Sequence, residues 1–235
     1  MSATDIAAEG LVTLSRRLGY EFADETLLRR ALAHRSWCAE VGGQPSNERL
    51  EFLGDAVLGW VVAEIAYRRH GDLPEGKLTD LRKSVVNATA LADVAEEIGL
   101  GEWLLLGKGE DAAGGRQKPS ILSDAFEAVL GAVYLDGGVE PAKALVARLF
   151  SERLDDAAGR LDRLDHKTVL QELTARLYDA APVYLLTESG PDHSKTFKAT
   201  VLVAGNALGA GEGKSKKLAE QQAASEAYDV LSALE

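Results

Sequence analysis

Two stretches of this chain are almost wholly apolar, and each carries a pair of carboxylates at helical spacing. From 50 to 63 (LEFLGDAVLGWVVA) the only charged residues are Glu51 and Asp55, four positions apart. From 121 to 135 (ILSDAFEAVLGAVYL) they are Asp124 and Glu127, three apart. Positions i, i+3 and i+4 share one helix face, so each segment points two acids the same way from an otherwise greasy helix. A buried carboxylate without a partner costs several kcal/mol or stays protonated, so buried acids pair with a cation or bind a metal. Neither segment supplies a Lys or Arg of its own. Four acids from two helices facing a common divalent ion is the expectation that follows.

At 235 residues, with 46% hydrophobic and 27% charged positions, the chain can build one large or two modest domains around a real core. The opening MSATDIAAEG lacks the basic-then-apolar order of a secretory signal. No apolar run approaches the roughly 18 residues that span a bilayer, so no membrane association is expected. A single cysteine, Cys38, excludes an internal disulfide and fits a reducing cytoplasm. It reads as a small buried hydrophobe. The net charge of −11 argues against a generally basic nucleic-acid binder. Residues 1–150 carry 16 Lys and Arg against 23 Asp and Glu, and residues 165–235 carry 7 against 10. A polyanion would have to be held by a few well-placed cations, or by metals.

Up to residue 153 the periodicity is helical throughout. Leu11, Leu14 and Leu18 recur at helical spacing, and 26–33 reads the same way. Ser46 and Asn47 are N-cap candidates for the first acid-bearing helix. Gly71-Asp72-Leu73-Pro74 ends it, a helix follows over 77–86, and Asn87 or Thr89 caps another that reaches Ile98. The stretch 108–118 (KGEDAAGGRQK) reads as a polar loop. Trp60 and Trp103 read as core. Residues 154–164 lose the apolar runs and read as a linker. From 165 the period changes. A helix over 168–178 points Val169, Leu170, Leu173 and Leu177 inward; strands follow at 183–189, 195–203 and 206–210. A last helix over 215–231 buries Ala219, Ala223, Ala227 and Val230. The fold expected is an all-α domain (1–153) followed by an α+β domain (165–235) in the order α-β-β-β-α.

Clustered carboxylates suit two-metal hydrolysis, in which Mg²⁺ ions roughly 3.5 to 4 Å apart hold a phosphodiester and activate water. Mg²⁺ prefers hard oxygen ligands and keeps several waters, so three or four acids suffice. No Cys or His grouping suits zinc. Glu48, in a first helical turn, is accounted for by the macrodipole as readily as by function. Lys214, Lys216 and Lys217 open the last helix, where their charge opposes the macrodipole; a bound phosphate would favour them there. The neighbouring GAGEGKS (209–215) resembles a nucleotide phosphate loop, but the required first glycine falls at Leu208 and no parallel-sheet unit surrounds it. His34, in ALAHRS, reads as a structural hydrogen-bonder, whereas His193, at a loop tip beside Gly190 and Pro191, is placed to probe a groove.

NERLEFLGDAVLG (47–59) closely resembles the signature of the ribonuclease III family. The resemblance extends through ALAHRS, EGKLTDLRKSVVN (75–87) and LGKGE…GGR…SILSDAFEAVLGAVYLDGG (106–138). The C-terminal part resembles a double-stranded RNA-binding domain, and the order of the two matches bacterial members. By motif position, the resemblance assigns Glu51, Asp55, Asp124 and Glu127 to metal binding and catalysis, and links Glu48 to cleavage and Glu75 to the RNA. It implies a homodimer built through the signature helix, with Phe52 at the interface. The expected reaction is Mg²⁺-dependent cleavage of double-stranded RNA, with Mn²⁺ as a substitute, leaving 5′-phosphate and 3′-hydroxyl ends with two-nucleotide 3′ overhangs. Ribosomal RNA precursors and other structured RNAs are the expected substrates.

In the binding domain the resemblance places Thr168, Gln171, Glu172 and His193 in successive minor grooves, with Lys214, Lys216 and Lys217 on the phosphates between, a mode that reads A-form shape. Two residues depart from the common pattern: Ala33, where many relatives have Thr, and Glu220, where many binding domains have a third cation. Two other readings compete, a silent RNA-binding scaffold on the same fold and a helical nucleotide phosphohydrolase. The intact set of four acids disfavours the first, and the C-terminal domain disfavours the second.

Overall fold

A helix that is apolar on every side has to be surrounded by other elements, and the second acid-bearing segment is such a helix. The computed structural model describes residues 8–163, 166–191 and 195–233. The chain divides into two compact units, Met1–Ala157 and Ala158–Glu235. The helices of the first unit are α1 (Ala8–Leu18), α2 (Glu25–Ala31), α3 (Arg35–Val41), α4 (Glu48–Arg69), α5 (Glu75–Val85), α6 (Ala88–Glu97), α7 (Lys108–Ala112) and α8 (Pro119–Gly137). α9 (Val139–Arg163) runs through the division. Along α8, Leu122, Ala125, Phe126, Val129, Leu130 and Val133 are all buried, and the helix packs against α4, α6 and α2. No helix among the described residues is long and apolar enough to cross a membrane.

Two glycines decide how closely α4 and α8 approach. A methyl group at Gly54 would overlap the backbone carbonyl of Glu127, and one at Gly131 would overlap that of Leu50. The backbones therefore touch at this crossing. Leu50 meets Gly131 and Gly54 meets Glu127, so the two helices pass in opposite senses.

The second unit contains α10 (His166–Tyr178), strands β1 (Val183–Ser189), β2 (Thr196–Val203) and β3 (Asn206–Gly213), and α11 (Lys216–Ser232). The sheet order is β1-β2-β3, antiparallel, with Val183 opposite Leu202 and Phe197 opposite Gly213. Its core joins Leu170 and Leu173 of α10, Ala199 and Val201 of β2, and Ala219, Ala223, Ala227 and Leu231 of α11. Gly209, Gly211 and Gly213 alternate along β3, where added methyls would overlap the α11 backbone at residues 219, 223 and 227 or the Leu218 side chain. The glycines that mimic a phosphate loop are thus the spacing that lets a strand lie directly on an alanine-lined helix.

Several expectations need correction. The 108–118 stretch is not a plain loop: it holds α7 and a 3₁₀ turn, Gly115–Gln117. Arg116 fastens it, pairing with Asp111 at 2.7 Å and donating to the carbonyls of Gly101, Glu102 and Leu104. Asn47 occupies the N-cap position of α4, but its side chain makes no capping bond, because its backbone is already helical (φ −74°, ψ −13°) rather than extended as a cap requires. Trp60 is 45% exposed, because it lies on the outer side of α4. Val169 and Leu177 face outward while Thr174 is buried, and Leu231 rather than Val230 closes the α11 face. β3 continues three residues past Ala210. Residues 154–163, expected to be a linker, are helical, and Leu154, Ala157 and Ala158 are buried. The apolar face persists there at helical spacing after the apolar runs have stopped.

Candidate metal centre

The α4–α8 crossing sets the geometry of the acids. Glu51 lies one turn before Gly54, and Asp124 and Glu127 lie two turns and one turn before Gly131. Carboxylate oxygens of Glu51, Asp124 and Glu127 all fall within 4.8 Å of one another. None of these three, nor Asp55, has an ion-pair partner among the described residues. Burial, with the charges of Asp55, Asp124 and Glu51, pushes the Glu127 carboxyl up from 4.5 to about 8. Burial raises Glu51 too, helped by Asp124, Glu48 and Asp55 and opposed by the smaller pull of Arg35. Half-buried acids this close, with no ion-pair partner, repel one another unless a proton or a cation sits between them. An all-oxygen set of this kind fits Mg²⁺.

Asp55 stands apart from the close trio. It is exposed and borders a second cleft with Trp60, Arg82 and Lys83. It is nonetheless the strongest of the charges acting on Glu127. Glu48 is exposed and accepts from Ser46 Oγ at 2.6 Å. With Glu51 and Asp124 it lines a cleft of about 320 Å³ that also contains His34, Arg35, Glu110 and Lys118. Glu75 opens α5 and accepts from Thr79 Oγ1 at 2.9 Å.

Sequence reasoning misses Arg35, Glu110 and Lys118 as cleft residues and gives His34 a structural role only. Glu110 and Lys118 pair at 3.3 Å across the Arg116-fastened segment. A parallel bridge between Ala33 and Leu105 brings the α2–α3 connection to the same place. The one readable hint is the proximity of Lys108–Lys118 in sequence to the second acid pair.

In the second unit Thr168, Gln171 and Glu172 lie exposed on α10, and Lys214, Lys216 and Lys217 lie exposed around the start of α11. Ser215 caps α11 by accepting from the Leu218 N–H, and the Lys216 ammonium stands 6.0 Å from the Phe197 ring. His193 lies outside the described residues. Glu220, which departs from the common pattern, accepts from Lys167 Nζ at 2.7 Å and ties α11 to α10. That acid is therefore neutralised within the domain.

Comparison with known proteins agrees with this division. A family model described as Ribonuclease-III-like matches residues 24–154, and one described as double-stranded RNA binding motif matches residues 166–231. A ribonuclease 3 of Thermobifida fusca is 56% identical over 216 residues, covering 92% of this chain and 90% of the relative. One of Streptomyces coelicolor is 53% identical over 224 residues, covering 95% and 81%. A solved nuclease domain of ribonuclease III from Campylobacter jejuni, described for flexibility in a region involved in dimer formation, is 44% identical. It aligns with a TM-score of 0.56 over 60% of this chain and 95% of its own.

Proposed function

Because this chain belongs to the ribonuclease III family and carries a double-stranded RNA binding motif, we propose that it is a Mg²⁺-dependent, homodimeric endoribonuclease of the cytoplasm. It cuts double-stranded RNA, including ribosomal RNA precursors, to 5′-phosphate and 3′-hydroxyl ends with two-nucleotide 3′ overhangs, and accepts Mn²⁺ as a substitute. The observation that carries the reading is the trio of carboxylates within 4.8 Å, none of them in an ion pair among the described residues.

Glu51, Asp124 and Glu127 would hold the ion through hard oxygens. Asp55, next along α4, adds negative charge beside them and is the ligand available to a second ion. A divalent ion bound there supplies charge for the phosphoryl oxygens and lowers the pKa of water at the site. Glu48, steadied by Ser46, guards the mouth of the cleft. Thr168, Gln171, Glu172 and His193 serve the minor grooves, and Lys214, Lys216 and Lys217 serve the phosphates. Phe52, 80% exposed on the helix that carries Glu51 and Asp55, supports pairing of two copies through α4.

A perfect RNA duplex labelled at both 5′ ends tests the reading. In Mg²⁺ both strands should be cut, with 5′-phosphate products offset by two nucleotides, and in chelator neither should be. Duplex binding without cutting in Mg²⁺ would sink it.

A further inference from the structure

His34 borders the acidic cleft with Glu48, Glu51, Glu110 and Asp124, and its local bonding fixes which ring nitrogen faces an incoming ligand. Its backbone N–H donates to the Leu105 carbonyl at 3.1 Å, and its side chain caps α3. Nδ1 accepts from the Ser36 backbone N–H at 3.3 Å and lies 2.8 Å from Ser36 Oγ. Ser36 Oγ in turn accepts from the Gly107 N–H at 2.9 Å, leaving its own proton to point at Nδ1. A backbone N–H can only donate, so Nδ1 presents a lone pair and a neutral ring carries its proton on Nε2. Burial keeps the ring's pKa below the ordinary histidine value, against the opposing pull of Glu110, Asp124 and Glu48. Nε2–H meets no acceptor among the described residues. A fixed donor beside a cation-binding centre suits the oxygen of an anion drawn in with the cation, and Arg35 and Lys118 line the same cleft.

We propose that His34 positions substrate in the nuclease site, its Nε2–H donating a hydrogen bond to a non-bridging phosphate oxygen of the RNA strand in the cleft. The inference rests on the endoribonuclease reading. Two substitutions separate the cap from the donor. In His34→Asn the amide oxygen keeps the capping acceptor and the distal donor is gone. In His34→Gln a donor still reaches the cleft and the cap is lost.

Single-turnover cleavage of a perfect RNA duplex at saturating Mg²⁺, with melting temperature measured alongside, reads both effects. His34→Asn should melt like the wild type and cleave about 10- to 100-fold more slowly. His34→Gln should melt lower and yet cleave faster than His34→Asn. A merely structural role predicts the reverse order of rates. Wild-type cleavage by His34→Asn, or slower cleavage by His34→Gln than by His34→Asn, would overturn the proposal. If the wild type cuts, Glu127→Gln does not and His34→Asn matches the wild type, the positioning role fails while the endoribonuclease reading stands. A wild type unable to cut removes both.

Discussion

Replacing Glu127 with glutamine should make the metal-free nuclease unit more stable at alkaline pH, an unusual outcome for a change at an active site. In the folded chain the carboxyl titrates at about 8 rather than 4.5, chiefly because it is buried. Below 4.5 it is protonated in both folded and unfolded chains and costs nothing. Between 4.5 and 8 the unfolded chain gives up the proton and the folded chain keeps it, so stability falls as pH rises; above 8 the loss is complete. At about 1.4 kcal/mol per pH unit the full effect would be about 5 kcal/mol. The group is only half-buried, and solvent screening reduces this to about 2 kcal/mol. For a unit of this size that is a melting shift of about 4 to 8 °C between pH 5 and 8.5.

Glutamine has no charge to bury, so Glu127→Gln should lack this part of the decline. All three tryptophans, Trp37, Trp60 and Trp103, lie in the first unit, so their fluorescence reports its unfolding. Melts in chelator at pH 5, 7 and 8.5 give the comparison, and the same series in Mg²⁺ should restore the wild type far more than the variant. Apparent Mg²⁺ affinity of the wild type should rise about tenfold per pH unit up to 8, because binding displaces the Glu127 proton. Wild-type and variant melting temperatures that run parallel across the range in chelator would refute the electrostatic reasoning.

Gly54→Ala and Gly131→Ala each push a methyl into the opposing backbone. Each should cost about 1 to 3 kcal/mol in urea unfolding and abolish Mg²⁺-stimulated cleavage; a stable, active Gly54→Ala would show that the crossing does not set the carboxylate spacing. Lys216→Ala combined with Lys217→Ala should weaken duplex binding more at low salt than at physiological salt. It should also lower the slope of log affinity against log salt by about one for each phosphate no longer neutralised, and an unchanged slope would move the phosphate grip elsewhere.

Element types are legible in the sequence because periodicity is a local property. The acid-bearing helices, the breaks at Gly71–Pro74 and Asp136–Gly138, and the switch to alternation near Val183 each depend on a few neighbouring residues. What escapes depends on partners distant in sequence. Trp60 reads as core because it is large and apolar, but its side of α4 is the outer one. Val230 and Leu231 are one position apart, and only the angle at which α11 meets the sheet decides between them. α7 follows from Arg116 reaching back to Asp111 and to the carbonyls of 101, 102 and 104, a set of bonds with no local signature.

The same distinction runs through the candidate site. That two carboxylates share a face of each helix follows from a spacing of three or four. That carboxylates from the two helices meet within 4.8 Å depends on how near the axes come, and the nearness is decided by side chains that are absent. Gly54 and Gly131 sit inside the acid-bearing segments, where a glycine costs roughly 0.5 to 1 kcal/mol of helix stability relative to alanine. With alanine at both positions the acid spacing in the sequence would be unchanged, but the helices would stand further apart and the oxygens would no longer share an ion. Reading the carboxylates alone therefore gives the chemistry of the site, and reading the glycines between them gives the distance at which that chemistry can operate.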